Sequence, residues 1–152
     1  MKNEDAKDRD ANQQRYLPIS DVARVVRPGP HIASARDAYR ELEHLGRELQ
    51  EHFAVLDLTV RHDVLACRLV HIGTLTGVDV HPREVFRGAI LNAAAAIIIA
   101  HNHPSGDPEP SRQDLEITKR LREAGDLFGI PVLDHIIIVA NGYVSLAERD
   151  WR

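Results

Sequence analysis

Two histidines one residue apart, followed by a serine and an aspartate, are the residues of this chain best suited to hydrolytic chemistry. His101 and His103 come at the end of the apolar run Ala95–Ala100, and Ser111 and Asp114 follow eight and eleven residues after His103. A catalytic zinc ion is typically held by three histidine or carboxylate ligands, with a fourth position left for water. The types and spacing of these residues therefore predict a zinc site at which water is the nucleophile.

The elements around these residues should bring them together. The β-branched run before His101 favours a buried strand, and continuing it to His103 places both imidazoles on one face because side chains alternate. Segment 104–110 contains three prolines and a glycine, which predict a turned loop. Ser111 is a typical helix N-cap, and Asp114 falls at the third helical position. Asp114 is thus expected beside the strand end.

Each half of the pattern has an ordinary structural explanation as well. Ser-x-x-Asp before a helix is a common capping arrangement, and an isolated His-x-His pair occurs on surfaces that bind no metal. The full spacing from His101 to Asp114 is much harder to explain by helix capping alone.

The sequence around these residues resembles the RadC family, a bacterial branch of the JAMM (also JAB or MPN) metalloproteases. The similar segments are His101–Pro108, Pro110–Ser111 with Asp114, Asp134–Ile137, His81–Phe86 and Gly73–Leu75. The similarity extends from about residue 35 to near the C-terminus. Full-length RadC proteins usually carry a helix-hairpin-helix region before this domain, and the residues ahead of it here are too few to hold one.

The resemblance implies a fold and a role for each residue of the motif. The fold would be α/β, a single three-layer domain with a mixed β-sheet flanked by helices, as in JAB/MPN and cytidine-deaminase-like proteins. His101, His103 and Asp114 would bind Zn²⁺. Ser111 would hydrogen-bond in the site and help to stabilise the oxyanion, and an upstream glutamate would be the general acid/base.

That glutamate would be Glu51. It is predicted to close a helical segment, and it immediately precedes the strand-like run His52–Leu58, where the family places its glutamate. Glu48 is a nearby alternative, and either residue can instead be an ordinary carboxylate on a solvated helix face.

The function implied is zinc-dependent hydrolysis of peptide or isopeptide bonds in a protein or peptide substrate. The alternative is a non-catalytic, metal-stabilised module that binds a protein partner in DNA repair or processing, an area with which the RadC name is associated. Two other assignments fit less well. The letters His-Asn-His do not reproduce the dispersed motif of the nucleases of that name, and a zinc deaminase would need a Pro-Cys-x-x-Cys segment, whereas the chain has one cysteine.

Composition sets broader bounds. With 152 residues, 43% hydrophobic and 28% charged, one globular domain is expected. The net charge of −4 and interspersed charges give no basic face, so direct nucleic-acid binding is not supported. No apolar run reaches the roughly 20 residues of a membrane span, and the charged N-terminus lacks a signal-peptide core. The lone Cys67, predicted buried and inert, fits a cytoplasmic protein; the oligomeric state stays open.

The order of elements alternates along the chain. Residues 1–30 are predicted to be a flexible tail and 31–152 the domain. A first helix begins near Ser34 with an apolar stripe at Tyr39, Leu42, Leu45 and Leu49, and strands follow at 53–60 and 64–72. A second helix begins at Pro82, with its buried side at Val85, Phe86, Ala89, Ile90 and Ala93. The metal strand, the Ser111 helix and two strands at 132–140 and after Gly142 complete the order. His135 is either a residue facing the site or a satisfied core histidine.

Overall fold

The apolar runs of the sequence form one five-stranded mixed sheet in the computed structural model, which describes residues 29–73 and 80–152. The strands are β1 His52–Leu58, β2 Val64–Ile72, β3 Ala96–Asn102, β4 Val132–Val139 and β5 Gly142–Ser145. Their order across the sheet is β2-β1-β3-β4-β5. Strands β3 and β4 are parallel, and the other neighbours are antiparallel.

Helices cover both faces of this sheet. Helix α1 (Ala35–Leu42) and the 3-10 turn Glu43–Arg47 pack on one face, whereas α2 (Pro82–Leu91) and α3 (Arg112–Phe128) pack on the other. Each face has its own apolar core, because alternate side chains of β1 and β3 point to opposite sides. The predicted three-layer α/β fold with a mixed sheet is confirmed.

The helix boundaries follow the capping residues of the sequence. The side chains of Ser34, His81 and Ser111 each accept a backbone N–H of the first turn of α1, α2 and α3. Pro82 occupies the first turn of α2. Proline is well tolerated there, because a backbone N–H at this position would have no acceptor within the helix. Gly129 ends α3 in the left-handed conformation with φ of 68°, which glycine adopts without steric cost.

The first helix is shorter than predicted. It ends at Leu42 and continues as the 3-10 turn to Arg47, after which the chain is extended at Glu48. A Cβ at Gly46 would lie 2.6 Å from the carbonyl oxygen of Val139, so glycine is what lets this turn approach β4. Leu49, predicted on the buried stripe, is 92% exposed.

The prediction that Glu51 closes a helical segment is therefore also wrong. Glu51 does not close a helical segment, because the 3-10 turn has already ended at Arg47. It lies in the short connection between the 3-10 turn and β1, immediately before His52. Its place next to the first core strand is as predicted.

Three smaller predictions also differ from the structure. Strand β1 ends at Leu58 because the hydroxyl of Thr59 accepts two N–H groups of the following turn. Ile90 lies on the exposed side of α2, and Ala93 is exposed in the turn that follows the end of this helix at Leu91. Cys67, predicted to be buried, is exposed on the edge strand β2.

The predicted tail and one family-like segment lie partly outside the described residues. Residues 1–28 of the tail, and residues 74 and 75, belong to the part of the chain that the structure does not describe. Gly29 donates its N–H to Val64, whose own N–H is accepted by Pro30. Within residues 29–73 and 80–152, no helix has the length and apolar character needed to cross a membrane.

A buried ion pair should contribute strongly to the stability of this fold. The fully buried carboxylate of Asp57 accepts two hydrogen bonds from Arg68, at 2.6 and 2.7 Å, and one from Asn92 at 2.7 Å. Arg68→Leu leaves the Asp57 carboxylate without a cation, and we expect the free energy of unfolding to fall by about 3–5 kcal/mol. Urea denaturation measures this loss. The exposed pair Arg87 and Glu84 provides the control, because Arg87→Leu should change stability by less than about 1 kcal/mol; equal losses would contradict the prediction.

Candidate metal centre

The two histidines of the motif occupy the C-terminal end of the central strand. His101 is fully buried within β3. His103 is the first residue after the end of this strand. The N–H of His103 donates to the carbonyl of Ile138 at 2.8 Å, which prolongs the alignment with β4. The alternation of the strand therefore holds through His103, and both imidazoles lie on the same face as predicted.

The third candidate ligand is held by the cap of α3. The Ser111 hydroxyl accepts the N–H of Asp114 at 3.1 Å, and the Asp114 carboxylate accepts the N–H of Ser111 at 2.7 Å. This reciprocal pair is a capping box. It holds Asp114 in the first helical turn, next to the strand end.

Strand and helix thus bring three side chains to one point. The Nε2 atoms of His101 and His103 lie 2.9 Å apart, and they lie 3.1 and 3.3 Å from the two carboxylate oxygens of Asp114. Candidate ligand atoms of the three residues all lie within 4.8 Å of one another. In the described part of the chain, this is the one group of histidine, cysteine and acidic residues that can hold a metal ion.

The electrostatics of the group favour a bound cation. Burial by itself would raise the pKa of Asp114, but the bonds to His101 and His103 lower it far below its usual value. The Asp114 carboxylate in turn raises the pKa of His103. The carboxylate is therefore ionised, and its negative charge attracts a cation.

The hydrogen bond at Nδ1 of His103 indicates that its Nε2 atom is available to bind a metal. Nδ1 of His103 lies 2.7 Å from the carbonyl oxygen of Asp107, which can only accept, so Nδ1 carries a hydrogen. In the neutral ring, Nε2 then presents a lone pair toward His101 and Asp114. Such converging lone pairs require a shared proton or a metal ion among them, and two imidazoles with one carboxylate are ligands that suit a divalent metal.

An open cavity borders these ligands, and Glu51 lines it. Its walls include Glu51, His103, Ser111 and Asp114, together with other polar side chains of the loop before α3. The negative charge of Glu51 contributes to the raised pKa of His103. Glu48, the alternative from the sequence, is not among the residues that line this cavity, and its carboxylate instead lies 3.9 Å from the ring of His52.

Ser111 faces the same cavity. Its oxygen accepts the capping N–H of Asp114, and a serine hydroxyl that accepts one bond still has its hydrogen to donate. Ser111 can therefore cap α3 and hydrogen-bond to a molecule in the cavity at the same time.

Asn102, between the two histidines, has a structural task that the sequence did not reveal. Its fully buried side chain points to the opposite face, where Oδ1 accepts the N–H of His52 at 2.6 Å. Its Nδ2 donates to the carbonyls of Gln50 and Glu48 at 3.0 and 3.3 Å. One amide thus fastens the segment that carries Glu51 to the strand that carries the histidines.

Removing this amide should loosen the segment without removing a ligand. We expect Asn102→Ala to lower the free energy of unfolding by about 1–3 kcal/mol, because three backbone groups lose their partner, and to speed hydrogen exchange at the His52 amide. Metal binding should persist because the histidines lie on the other face. Exchange measured by NMR checks this, and Gln50→Ala is the control since it keeps the carbonyl. Unchanged exchange at His52 in Asn102→Ala would show that other contacts hold the segment.

The alternatives for His135 are resolved by its position behind the ligands. It is fully buried, and its Nε2 lies 2.8 Å from Nδ1 of His101. It therefore contacts a candidate ligand but does not reach the cavity. Burial holds the pKa of His135 well below its usual value, so the ring is neutral.

Thr118, on the buried face of α3, completes this arrangement. Its hydroxyl lies 2.6 Å from Nδ1 of His135. The available signal was a polar residue at a position where the helical spacing requires burial, together with the unexplained His135 in a strand. Neither pattern specifies which residues meet, because the contact depends on how α3 packs on β4.

Comparison with known proteins covers most of the described domain. The family model described as a RadC-like JAB domain matches residues 32–151. A UPF0758 protein from Methanococcoides burtonii is 45% identical over 125 residues, which cover 82% of this chain and 55% of that protein. A UPF0758 protein from Bacillus cereus (strain AH187) is 51% identical over 119 residues, which cover 78% of this chain and 53% of that protein. A UPF0758 protein from Alkaliphilus oremlandii is 52% identical over 109 residues, which cover 72% of this chain and 46% of that protein. The chain spans about half the length of the curated relatives it matches.

Proposed function

Since this chain belongs to the RadC-like JAB domain family, we propose that it is a zinc-dependent hydrolase of peptide or isopeptide bonds. The observation that carries the proposal is the convergence of His101, His103 and Asp114 at the wall of an open cavity. Structural zinc sites are usually closed by four protein ligands, whereas catalytic sites have three and keep one position open. Three ligands beside a cavity fit the catalytic type.

Zinc is the metal that we propose for this site. Two imidazole nitrogens and one carboxylate suit Zn²⁺, whereas Mg²⁺ and Ca²⁺ prefer oxygen ligands. When bound, zinc supplies a Lewis acid that activates water and polarises the carbonyl of the scissile bond.

Two residues that line the cavity are proposed to carry out proton transfer and oxyanion stabilisation. Glu51 takes a proton from the attacking water and returns it to the leaving amine. Ser111 donates its hydroxyl hydrogen to the oxygen on which negative charge develops. Support for these roles is that both residues line the cavity that His103 and Asp114 also border.

The substrate that we propose is a protein or a peptide. The cavity is lined mostly by polar side chains, and it is open to solvent, which suits a hydrated polypeptide segment better than an apolar small molecule. A second cavity shares Glu51 and Ser105 and reaches the exposed side chain of Leu49. Because the two cavities share these lining residues, they adjoin one another, which suits an extended chain.

Metal analysis followed by a cleavage screen tests the proposal. The full chain should contain one zinc ion per molecule and should cleave members of a library that contains both peptide and isopeptide bonds. Removal of the metal by a chelator should abolish cleavage, and added zinc should restore it. Stoichiometric zinc without cleavage would instead favour the alternative, a metal-stabilised module that binds a protein partner, and a chain without zinc would contradict both.

A further inference from the structure

The buried pair Thr118 and His135 lies directly behind the candidate metal ligands. We propose that these two residues act as positioning residues that fix the tautomer of His101, so that its Nε2 lone pair faces the metal position. This inference rests on the proposed metal site, and it concerns residues that do not themselves touch the metal.

The first step is the direction of the hydrogen bond from Thr118. Its hydroxyl oxygen lies 2.5 Å from the backbone carbonyl oxygen of Asp114. A carbonyl oxygen only accepts, so the hydroxyl hydrogen of Thr118 must lie between the two oxygens. Thr118 has one hydrogen, and this bond uses it.

The direction of the second bond then follows. The oxygen of Thr118 lies 2.6 Å from Nδ1 of His135. Since the hydroxyl has already given its hydrogen to Asp114, Nδ1 of His135 must be the donor. In a neutral imidazole with a hydrogen on Nδ1, the other nitrogen is an acceptor.

The third bond makes the tautomer of His101 depend on that of His135. Nε2 of His135 lies 2.8 Å from Nδ1 of His101, so His101 must donate from Nδ1. The neutral His101 ring then has its lone pair on Nε2, the atom that lies 2.9 Å from His103 and 3.1 Å from Asp114. Each bond in this relay, from Asp114 through Thr118 and His135 to His101, has one permitted direction.

Burial makes the relay effective. His101 and His135 are fully buried, and Thr118 is 3% exposed, so water has little access to offer an alternative partner. A reversed bond would leave two acceptors facing each other, which is costly where the dielectric is low. The packing against Phe53, whose ring lies about parallel to that of His101 and at an angle to that of His135, limits ring rotation.

The relay also connects two of the three ligands. It begins at the backbone carbonyl of Asp114 and ends at the ring of His101, while the Asp114 carboxylate and the His101 Nε2 meet at the metal position. The orientation of the helix that carries Asp114 is thereby coupled to the tautomer of His101. Partners of this kind orient a ligand and raise its basicity, and their loss typically weakens metal affinity by about 10- to 100-fold.

A pair of variants at Thr118 tests the proposal. Thr118→Val keeps the shape but removes the hydroxyl, whereas Thr118→Ser keeps the hydroxyl. We expect zinc affinity, measured by competition with a chromophoric chelator, to fall about 10- to 100-fold in Thr118→Val and to stay within a few-fold of the parent chain in Thr118→Ser. Circular dichroism confirms that both variants are folded. Parent-like affinity in a folded Thr118→Val, or an equal loss in Thr118→Ser, would overturn the proposal.

The tautomer itself can be read from the metal-free parent chain. Nitrogen-15 NMR of the histidine rings should show the hydrogen of His101 on Nδ1 and that of His135 on Nδ1. An Nδ1 without a hydrogen in either ring would overturn the inference, even if Thr118→Val failed to fold. If the parent chain binds no zinc, the proposed function fails, and this spectrum still decides whether the relay exists.

Discussion

Glu51→Gln is expected to lower kcat for peptide hydrolysis by about 10²- to 10⁴-fold, the range that a general acid/base contributes, while the zinc content stays at one ion per chain. Glutamine has nearly the same shape as glutamate, but its amide does not accept a proton near neutral pH. Glu51 lines the cavity and is not one of the three candidate ligands. The substitution therefore removes proton transfer and leaves the metal site intact. Steady-state kinetics with the best substrate of the library, together with metal analysis, measure both effects.

Glu48→Gln is the matched control for this experiment. Glu48 lies three residues away in the same connection before β1, but its carboxylate is directed to His52 and does not line the cavity. Its substitution should leave kcat within a few-fold of the parent value. Full activity in Glu51→Gln, or an equal loss in Glu48→Gln, would remove Glu51 from the role of general acid/base.

His103→Ala should eliminate both stoichiometric zinc and hydrolysis. Two ligands remain after this change, and an open site with three protein ligands has none to spare. His103 is the best of the three to replace because it lies beyond the end of β3 and is partly exposed, so the loss of packing is small. Metal analysis and the cleavage assay measure the outcome, and the thermal unfolding of the metal-free variant should remain close to that of the metal-free parent.

The corresponding test at Asp114 needs a different substitution. Asp114 also accepts the N–H of Ser111 in the capping box, so Asp114→Ala would remove this cap interaction together with the ligand. Asp114→Asn keeps an oxygen for the cap but removes the negative charge. Zinc bound at parent levels in both His103→Ala and Asp114→Asn would place the metal elsewhere.

The residues close together along the chain were predictable, and the contacts between distant segments were not. His101, His103 and Asp114 follow from strand alternation, a proline-rich loop and a helix cap, which are local rules that depend on neighbouring residues. The exposure of Leu49 was missed because the first helix gives way to a 3-10 turn, and the cause is the close approach of Gly46 to Val139 on β4. No local rule contains that contact.

The supporting residues of the site show the same limit. Asn102 was visible only as the residue between two histidines, and its partners lie about 50 positions earlier in the chain. Thr118 and His135 each fitted an ordinary helix or strand position. Their meeting depends on the parallel pairing of β3 with β4 and on the packing of α3 over that pair, which alternation and capping do not specify.

The separation in sequence between the ligands and Glu51 has a consequence for the entropy of folding. The three candidate ligands lie within a strand, loop and helix only thirteen positions apart, whereas Glu51 lies fifty positions before His101 and reaches the site through the antiparallel pairing of β1 with β3. Closing a short loop costs less entropy than closing a long one. The segments that carry the three candidate ligands are thus expected to come together at a lower entropic cost than the segment that carries Glu51.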